Sequence, residues 1–385
     1  MPAGVAHKTF HGANGSAEHF LVVTAPADGT WAEQLHAVEA RYAEALNGAG
    51  LAPESAVFRR IFVSDVLNQA EDVQRSSLAQ DAPDSPVAVS IIQQQPLPRA
   101  KIALFAYHLS SPSPIAKRRL SHRHVLVESG GLSHLWSTRL CAEATTGPAS
   151  AQAQTRQVFE ELSQALAGQG GTMRDHCLRT WIYLKDVDVF YHGMVKARTE
   201  LFAHHGLTDR THYIASTGIE GACAHRYDVV AMDAYSVLGL APEQVSYLND
   251  FGKMCPTRDY QVTFERGTRV AYADRAHFFI SGTASIDREG RVVHLNDVVA
   301  QLGRALENVQ ALLRAGGADL ADMMYLLVYL RDPSDHQAVR AYLDDRLPEL
   351  PAVILHGAVC RPEWLIEVEG VAVADLPHPA LPSFA

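Results

Sequence analysis

Two carboxylates stand two residues apart in "CRPEWLIEVEG", Cys360 to Gly370, ahead of the apolar run "VAVA". Strand alternation places Glu367 and Glu369 on the same face. A carboxylate in apolar surroundings is stable only with a partner, or as the neutral acid with its pKa raised. The first case is a structural ion pair or a carboxylate satisfied by backbone amides. The second is a general acid, able to hand a proton to a substrate where water could not do so.

Other residue types narrow the chemistry. The 19 histidines contain no HExxH or comparable ligand spacing, and "HRH" (His122, His124) and "HH" (His204, His205) are isolated. The five cysteines, Cys141, Cys177, Cys223, Cys255 and Cys360, are far apart and form no CxxC pair, so neither a zinc site nor a disulfide framework is indicated. "GQGGT" (Gly168–Thr172) falls where a helix should end, so it does not read as a phosphate loop. No metal, flavin, nicotinamide or other cofactor is implied. A formal charge of −10 and a pI near 6.0 argue against a general nucleic-acid partner, because phosphate binding needs clustered cations. The short basic run "KRRLSHRH" (Lys117–His124) reads as a solvated linker. With no signal peptide and no apolar run long enough to span a bilayer, the expectation is a cytoplasmic protein without a membrane partner.

The elements that must position the two acids recur three times. Gln34, Gln154 and Gln301 are each followed twelve residues later by Leu46, Leu166 and Leu313, and then by Gly50, Gly170 and Gly317. Each copy next enters a strand containing Phe62, Tyr183 or Tyr329, with Asp65, Asp186 or Asp332 three residues on. Apolar residues at helical spacing, such as Val158, Phe159, Leu162 and Leu166, predict an amphipathic helix closed by a left-handed glycine. A second helix and a closing pair of strands complete each copy. The predicted fold class is therefore α+β, with units at 1–112, 120–238 and 255–376. Each sheet carries helices on one face and turns the other toward its sisters, giving an intramolecular pseudo-trimer with sheets inside and helices outside.

The last unit, through "FISGTASID", "ALENV" and "LIEVEG", resembles the Rid/YjgF-like (chorismate-mutase-like) superfamily. Where its enamine and imine deaminases grip substrate with an arginine, this chain has Ala352, which counts against imine hydrolysis. Across the two later units, "RTWIYLKDVD", "ARTELF", "ASTGIEG", "FERGTRV" and "CRPEWLIEVEG" resemble the chorismatases, although Ile182 stands where those enzymes often carry Asn.

That resemblance implies cleavage of chorismate, with Glu367 as the proton donor to its enolpyruvyl ether. It implies Arg179, Arg198 and Arg266 as forks for the substrate carboxylates. Tyr183, Thr217, Gly218 and Gly267 would be substrate neighbours, with Glu369 holding an arginine or a hydrogen-bond network. Gly267 and Cys360 match the type that releases 3-hydroxybenzoate and pyruvate, whereas alanines there mark the type that hydrolyses chorismate to a dihydroxycyclohexadiene carboxylate. The first unit has no acid at the place of Glu367 and reads as structural. The middle unit would contribute substrate-binding residues and the last the catalytic acid, in a chain acting as a monomer or weak homo-oligomer. An enamine/imine deaminase and a non-catalytic carboxylate sensor are the competing readings.

Overall fold

The computed structural model describes residues 4–142, 150–222, 225–260 and 262–385. Cys223 lies outside them. Three mixed sheets repeat one strand order: hairpin strand, hairpin strand, closing strand, central strand, parallel edge strand. In the first sheet these are Val5–His11, Ala17–Thr24, Ile102–Ser110, Ala56–Val63 and Ala88–Gln93. In the middle sheet they are His124–Ser129, Leu132–Cys141, Val230–Leu238, Cys177–Leu184 and Ala215–Glu220. In the last they are Gly267–Ala271, Ala276–Ala284, Ile366–Ala374, Met323–Leu330 and Ala352–His356. The middle and last sheets each gain one further edge strand, Ala116–Arg119 and Val245–Tyr247.

The repeated residues have identifiable jobs. Asp65 and Asp186 cap the helices Val66–Arg75 and Val187–His204, and Asp332 caps the turn before His336–Arg346. Gly50, Gly170 and Gly317 take φ of 66°, 78° and 93°, which ends the long helices without Cβ strain. The glutamines tie each long helix to its closing strand. Gln34 accepts from the backbone N–H of Lys101, Gln154 from Val229 and Val230, and Gln301 from Leu365 at 2.9 Å. The last of these fixes the chain two residues before Glu367.

One face of each sheet is packed by its own helices, as with Val158, Phe159, Leu162 and Leu166 against the middle sheet. The opposite faces meet in a shared aromatic core. Phe58 stacks on Trp136 at 4.7 Å, Trp136 lies 4.4 Å from Tyr235, Tyr235 lies 5.3 Å from Phe279, and Phe105 lies 4.2 Å from Tyr325. These contacts join all three sheets, so the sheets are inside and the helices outside. Such rings bury enough apolar area to hold the units together without any symmetry operator.

The basic run at Lys117–His124 corrects the sequence reading. Rather than a solvated linker, Ala116–Arg119 is an edge strand paired with His124–Ser129. A four-residue strand rich in charge carries no alternation signal, which is why it reads as a connection.

Candidate active site

Glu367 and Glu369 share the inner face of the strand Ile366–Ala374, Glu367 lying opposite Ala284 on one neighbour and Tyr329 on the other. Their fates differ. Glu369 is 1% exposed and accepts hydrogen bonds from Tyr329 Oη at 2.8 Å, from Thr217 Oγ1 and from the Arg179 guanidinium. Arg179 also donates to Thr217 Oγ1 at 2.5 Å and lies over the Trp181 ring. This fully bonded pair joins the middle sheet to the last.

Glu367, one pleat nearer the sheet edge and 5% exposed, borders a cleft between those two sheets. Among the described residues none donates a hydrogen bond to its carboxyl. Burial and the neighbouring Glu369 charge raise its pKa to about 8, against the opposing pull of Arg179 and Arg266. The group is therefore a neutral acid at pH 7.

The cleft encloses about 470 Å³ of free space including its mouth. Arg198 reaches it from the helix Val187–His204, and Thr217 and Gly218 from the strand Ala215–Glu220. Arg266 enters from the segment before Gly267–Ala271, and Cys360 from the loop before the closing strand. Both arginines are buried, Arg198 with its Nε toward Thr263 Oγ1 at 3.3 Å and Arg266 with Nη2 on the Cys255 carbonyl at 3.1 Å. The Cys360 thiol is pushed up to about 12, chiefly by burial and also by the charge of Glu367, and the Tyr191 side chain bonds to it. It is a neutral wall group rather than a thiolate nucleophile.

Six of the ten residues singled out from sequence thus meet in one cleft: Glu367, Cys360, Arg198, Thr217, Gly218 and Arg266. The other four do not line it. Arg179 is engaged by Glu369 behind the cleft wall. Tyr183 donates to Asp233 at 3.2 Å in the seam between the first two sheets. Glu369 is itself enclosed. Gly267 meets protein, not ligand: a Cβ there would lie 3.0 Å from Leu248 Cδ1 and 3.1 Å from the Phe279 carbonyl.

The glycine whose missing side chain matters to the cleft is Gly282. A Cβ on it would intrude on Glu367 Oε1 and lie 3.1 Å from Thr217 Cγ2. Its N–H bonds Thr217 Oγ1 at 2.8 Å. The sequence reading did not single it out, although a glycine inside the strand pattern "FISGTASI" is a signal that could have done so, since such a glycine marks a bulge or a close approach. The apolar wall, Phe264, Ala284, Ile286 and Trp364, carried no signal separable from ordinary core.

One cluster of possible metal donors occurs among the described residues. Cys141, His225 and Asp228 bring three donor atoms within 4.8 Å of one another. It is remote from the cleft lining, and Arg123 Nη2 already lies 3.3 Å from the Cys141 sulfur, a poor setting for a cation.

Known proteins resemble this chain in sequence and in fold. Residues 268–374 match the family model described as endoribonuclease L-PSP. A 3-aminoacrylate deaminase RutC from Acinetobacter baylyi is 31% identical over 96 residues, which cover 24% of this chain and 76% of that protein. A chorismatase from Streptomyces rapamycinicus is 36% identical over 109 residues, covering 26% of this chain and 32%, about a third, of the relative. A chorismatase crystal structure superposes with a TM-score of 0.62 over 83% of this chain and 93% of that one, at 19% identity, a likeness of fold. Three sheets of this order, with a cleft between neighbours, are the architecture of the Rid/YjgF superfamily written into a single chain. Through the deaminase, of which it covers 76% at 31% identity, the chain belongs to the Rid/YjgF-like superfamily, and over most of its length it shares the fold of a chorismatase.

Proposed function

We propose that the protein cleaves chorismate to 3-hydroxybenzoate and pyruvate, with Glu367 as general acid. The observation that carries the reading is a neutral, buried carboxyl facing a cleft that also holds two buried guanidinium groups. Chorismate is a compact dianion bearing an enolpyruvyl ether, and its carboxylates match the Arg198 and Arg266 forks. Protonation of the ether's methylene carbon is hard in water at neutral pH, because the product is an oxocarbenium ion. A carboxylic acid with a pKa near ambient pH, held against the substrate in a dry site, lowers that barrier.

In the reading advanced here, the proton of Glu367 becomes one of the methyl hydrogens of pyruvate. The adjacent ring hydroxyl attacks the carbon bearing the ether, and that C–O bond breaks with its electrons going to the departing pyruvate carbonyl. The hydroxyl proton returns to the Glu367 carboxylate, and the ring oxide isomerises to 3-hydroxybenzoate. The two products sum to chorismate, so no water is consumed. The apolar walls and the neutral Cys360 thiol support this route over hydrolysis by keeping water from the cation.

Incubation of the protein with chorismate, followed by mass analysis, tests the proposal. Pyruvate and 3-hydroxybenzoate should appear in equal amounts, and Glu367→Gln should lower turnover by about 10²-fold or more. A folded Glu367→Gln protein with undiminished turnover refutes the assignment. A dihydrodiol product would leave the acid in place and overturn the role given to Cys360.

A further inference from the structure

The repeat makes the cleft between the first and middle sheets directly comparable with the Glu367 cleft. The strand Leu132–Cys141 carries the same irregularity as Ala276–Ala284, which places Thr138 and Arg139 where the last unit has Ser281 and Gly282. Thr138 N–H bonds the Arg123 carbonyl at 2.8 Å, as Ser281 N–H bonds the Arg266 carbonyl at 3.0 Å. Arg123 is thus the counterpart of Arg266. Asp233 stands for Glu369, held by Arg60 at 3.1 Å, Ser90 at 2.7 Å and Tyr183 at 3.2 Å. One position has changed its chemistry. Opposite Tyr183, where Glu367 would lie, the residue is Ala231.

The second cleft has therefore kept the arginine and the buried anchor while losing the acid. It has also gained charge. Arg139 replaces the glycine that faced the acid, and its backbone takes φ of 54°, a region non-glycine residues seldom adopt. Arg119, Arg123 and Arg139 all line this cleft. Among the described residues Asp81 pairs with Arg119 and Glu161 with Arg123, and Arg139 donates its backbone N–H to Asp233 at 2.9 Å. Facing the three cations is an apolar wall that includes Val89, Ile91 and Val125, and the cleft has about 840 Å³ of free space including its mouth.

We infer that the cleft between the first and middle sheets is a second ligand site, which binds a small cyclic carboxylate without turning it over. The guanidinium groups take the carboxylate and the valine and isoleucine wall takes the ring, while no proton donor stands at the place of Glu367. The ligand class follows from the lining alone, so the inference does not depend on the reaction proposed for the other cleft.

Benzoate titrated into the full-length protein, with binding read by calorimetry, tests this. Arg266→Ala impairs the Glu367 cleft and should leave benzoate binding at the second cleft intact. Arg139→Gly, which restores the residue found in the sister cleft and relieves the left-handed backbone, should weaken that binding by about tenfold to a hundredfold. Arg139→Lys should recover part of it, and chorismate turnover should be unchanged in both Arg139 variants. Absence of benzoate binding in a folded Arg266→Ala protein, or equal affinity in Arg266→Ala and the Arg266→Ala, Arg139→Gly double variant, overturns the inference. Failure of chorismate turnover with benzoate binding intact would overturn only the function proposed for the first cleft.

Discussion

If Glu367 is neutral in the fold, it must make the protein less stable as pH rises. The unfolded chain ionises near the ordinary glutamate value of 4.5, whereas the folded group holds its proton to about 8. The group's stabilising contribution is therefore complete below about pH 4.5, and it is lost as pH rises toward 8. Between pH 5 and pH 8 the loss is about 3 to 4 kcal/mol, at 1.36 kcal/mol per pKa unit integrated over both states. Glu367→Gln keeps the shape and removes the titration. The variant should gain on the wild type by about that amount over this range, or about 4 °C in Tm for a chain of 385 residues. Urea unfolding of both proteins at pH 5 and pH 8 measures it. A carboxylate kept ionised by Arg266 would reverse the sign, with the wild type gaining on the variant as pH rises. A difference that is flat within about 1 kcal/mol would refute the reasoning as surely as a reversed one.

Four further outcomes follow from the same geometry. Turnover should fall as pH rises through about 8, and Glu369→Gln should move that limb to lower pH, because the charge of Glu369 holds the Glu367 pKa up; steady-state pH profiles of both proteins check this. Gly282→Ala should cost about 10²-fold in kcat, since its Cβ displaces the Glu367 carboxyl, while Gly267→Ala should act through packing against Leu248 and lower Tm more than it alters the product. Gln301→Leu should destabilise the fold by about 2 kcal/mol in urea titration, as the half-buried N–H of Leu365 and the carbonyls of His294 and Glu363 lose their partners. Cys360→Ala should shift product toward the dihydrodiol, readable by mass.

The three-fold repeat was legible in the sequence because its landmarks are backbone necessities: helix caps, left-handed glycines and the glutamine that reaches the closing strand. The site was legible only in part, because a motif reports which strand carries a residue and not how deep along it the residue lies. Arg179 and Arg266 look alike as arginines in shared motifs, yet one is sealed against Glu369 and the other lines the cleft. The same limit hid the difference between Gly267 and Gly282, since each is a glycine in a strand and only the packing across the bulge separates them. Arg139 gave no signal at all, because its meaning comes from the residue at the matching place in the neighbouring sheet.

Writing three units into one chain has a thermodynamic consequence for such a site. A neutral carboxyl buried like Glu367 costs about 4 kcal/mol by pH 8, relative to a residue that does not titrate. In a symmetric trimer the same side chain would be repeated three times, for a total of about 12 kcal/mol, comparable with the whole net stability of an ordinary domain. Here the acid stands once. Its counterparts opposite Phe62 and Tyr183 are Ala103 and Ala231, which carry no such penalty. A buried Arg–carboxylate–Tyr anchor stands at all three seams: Arg60 with Asp233 and Tyr183, Arg179 with Glu369 and Tyr329, and Arg275 with Glu18 and Tyr107. The interfaces have thus kept what joins the sheets while the costly group is confined to one cleft. That separation is what frees a sister cleft to carry an alanine at the acid's place and an arginine at the place of Gly282.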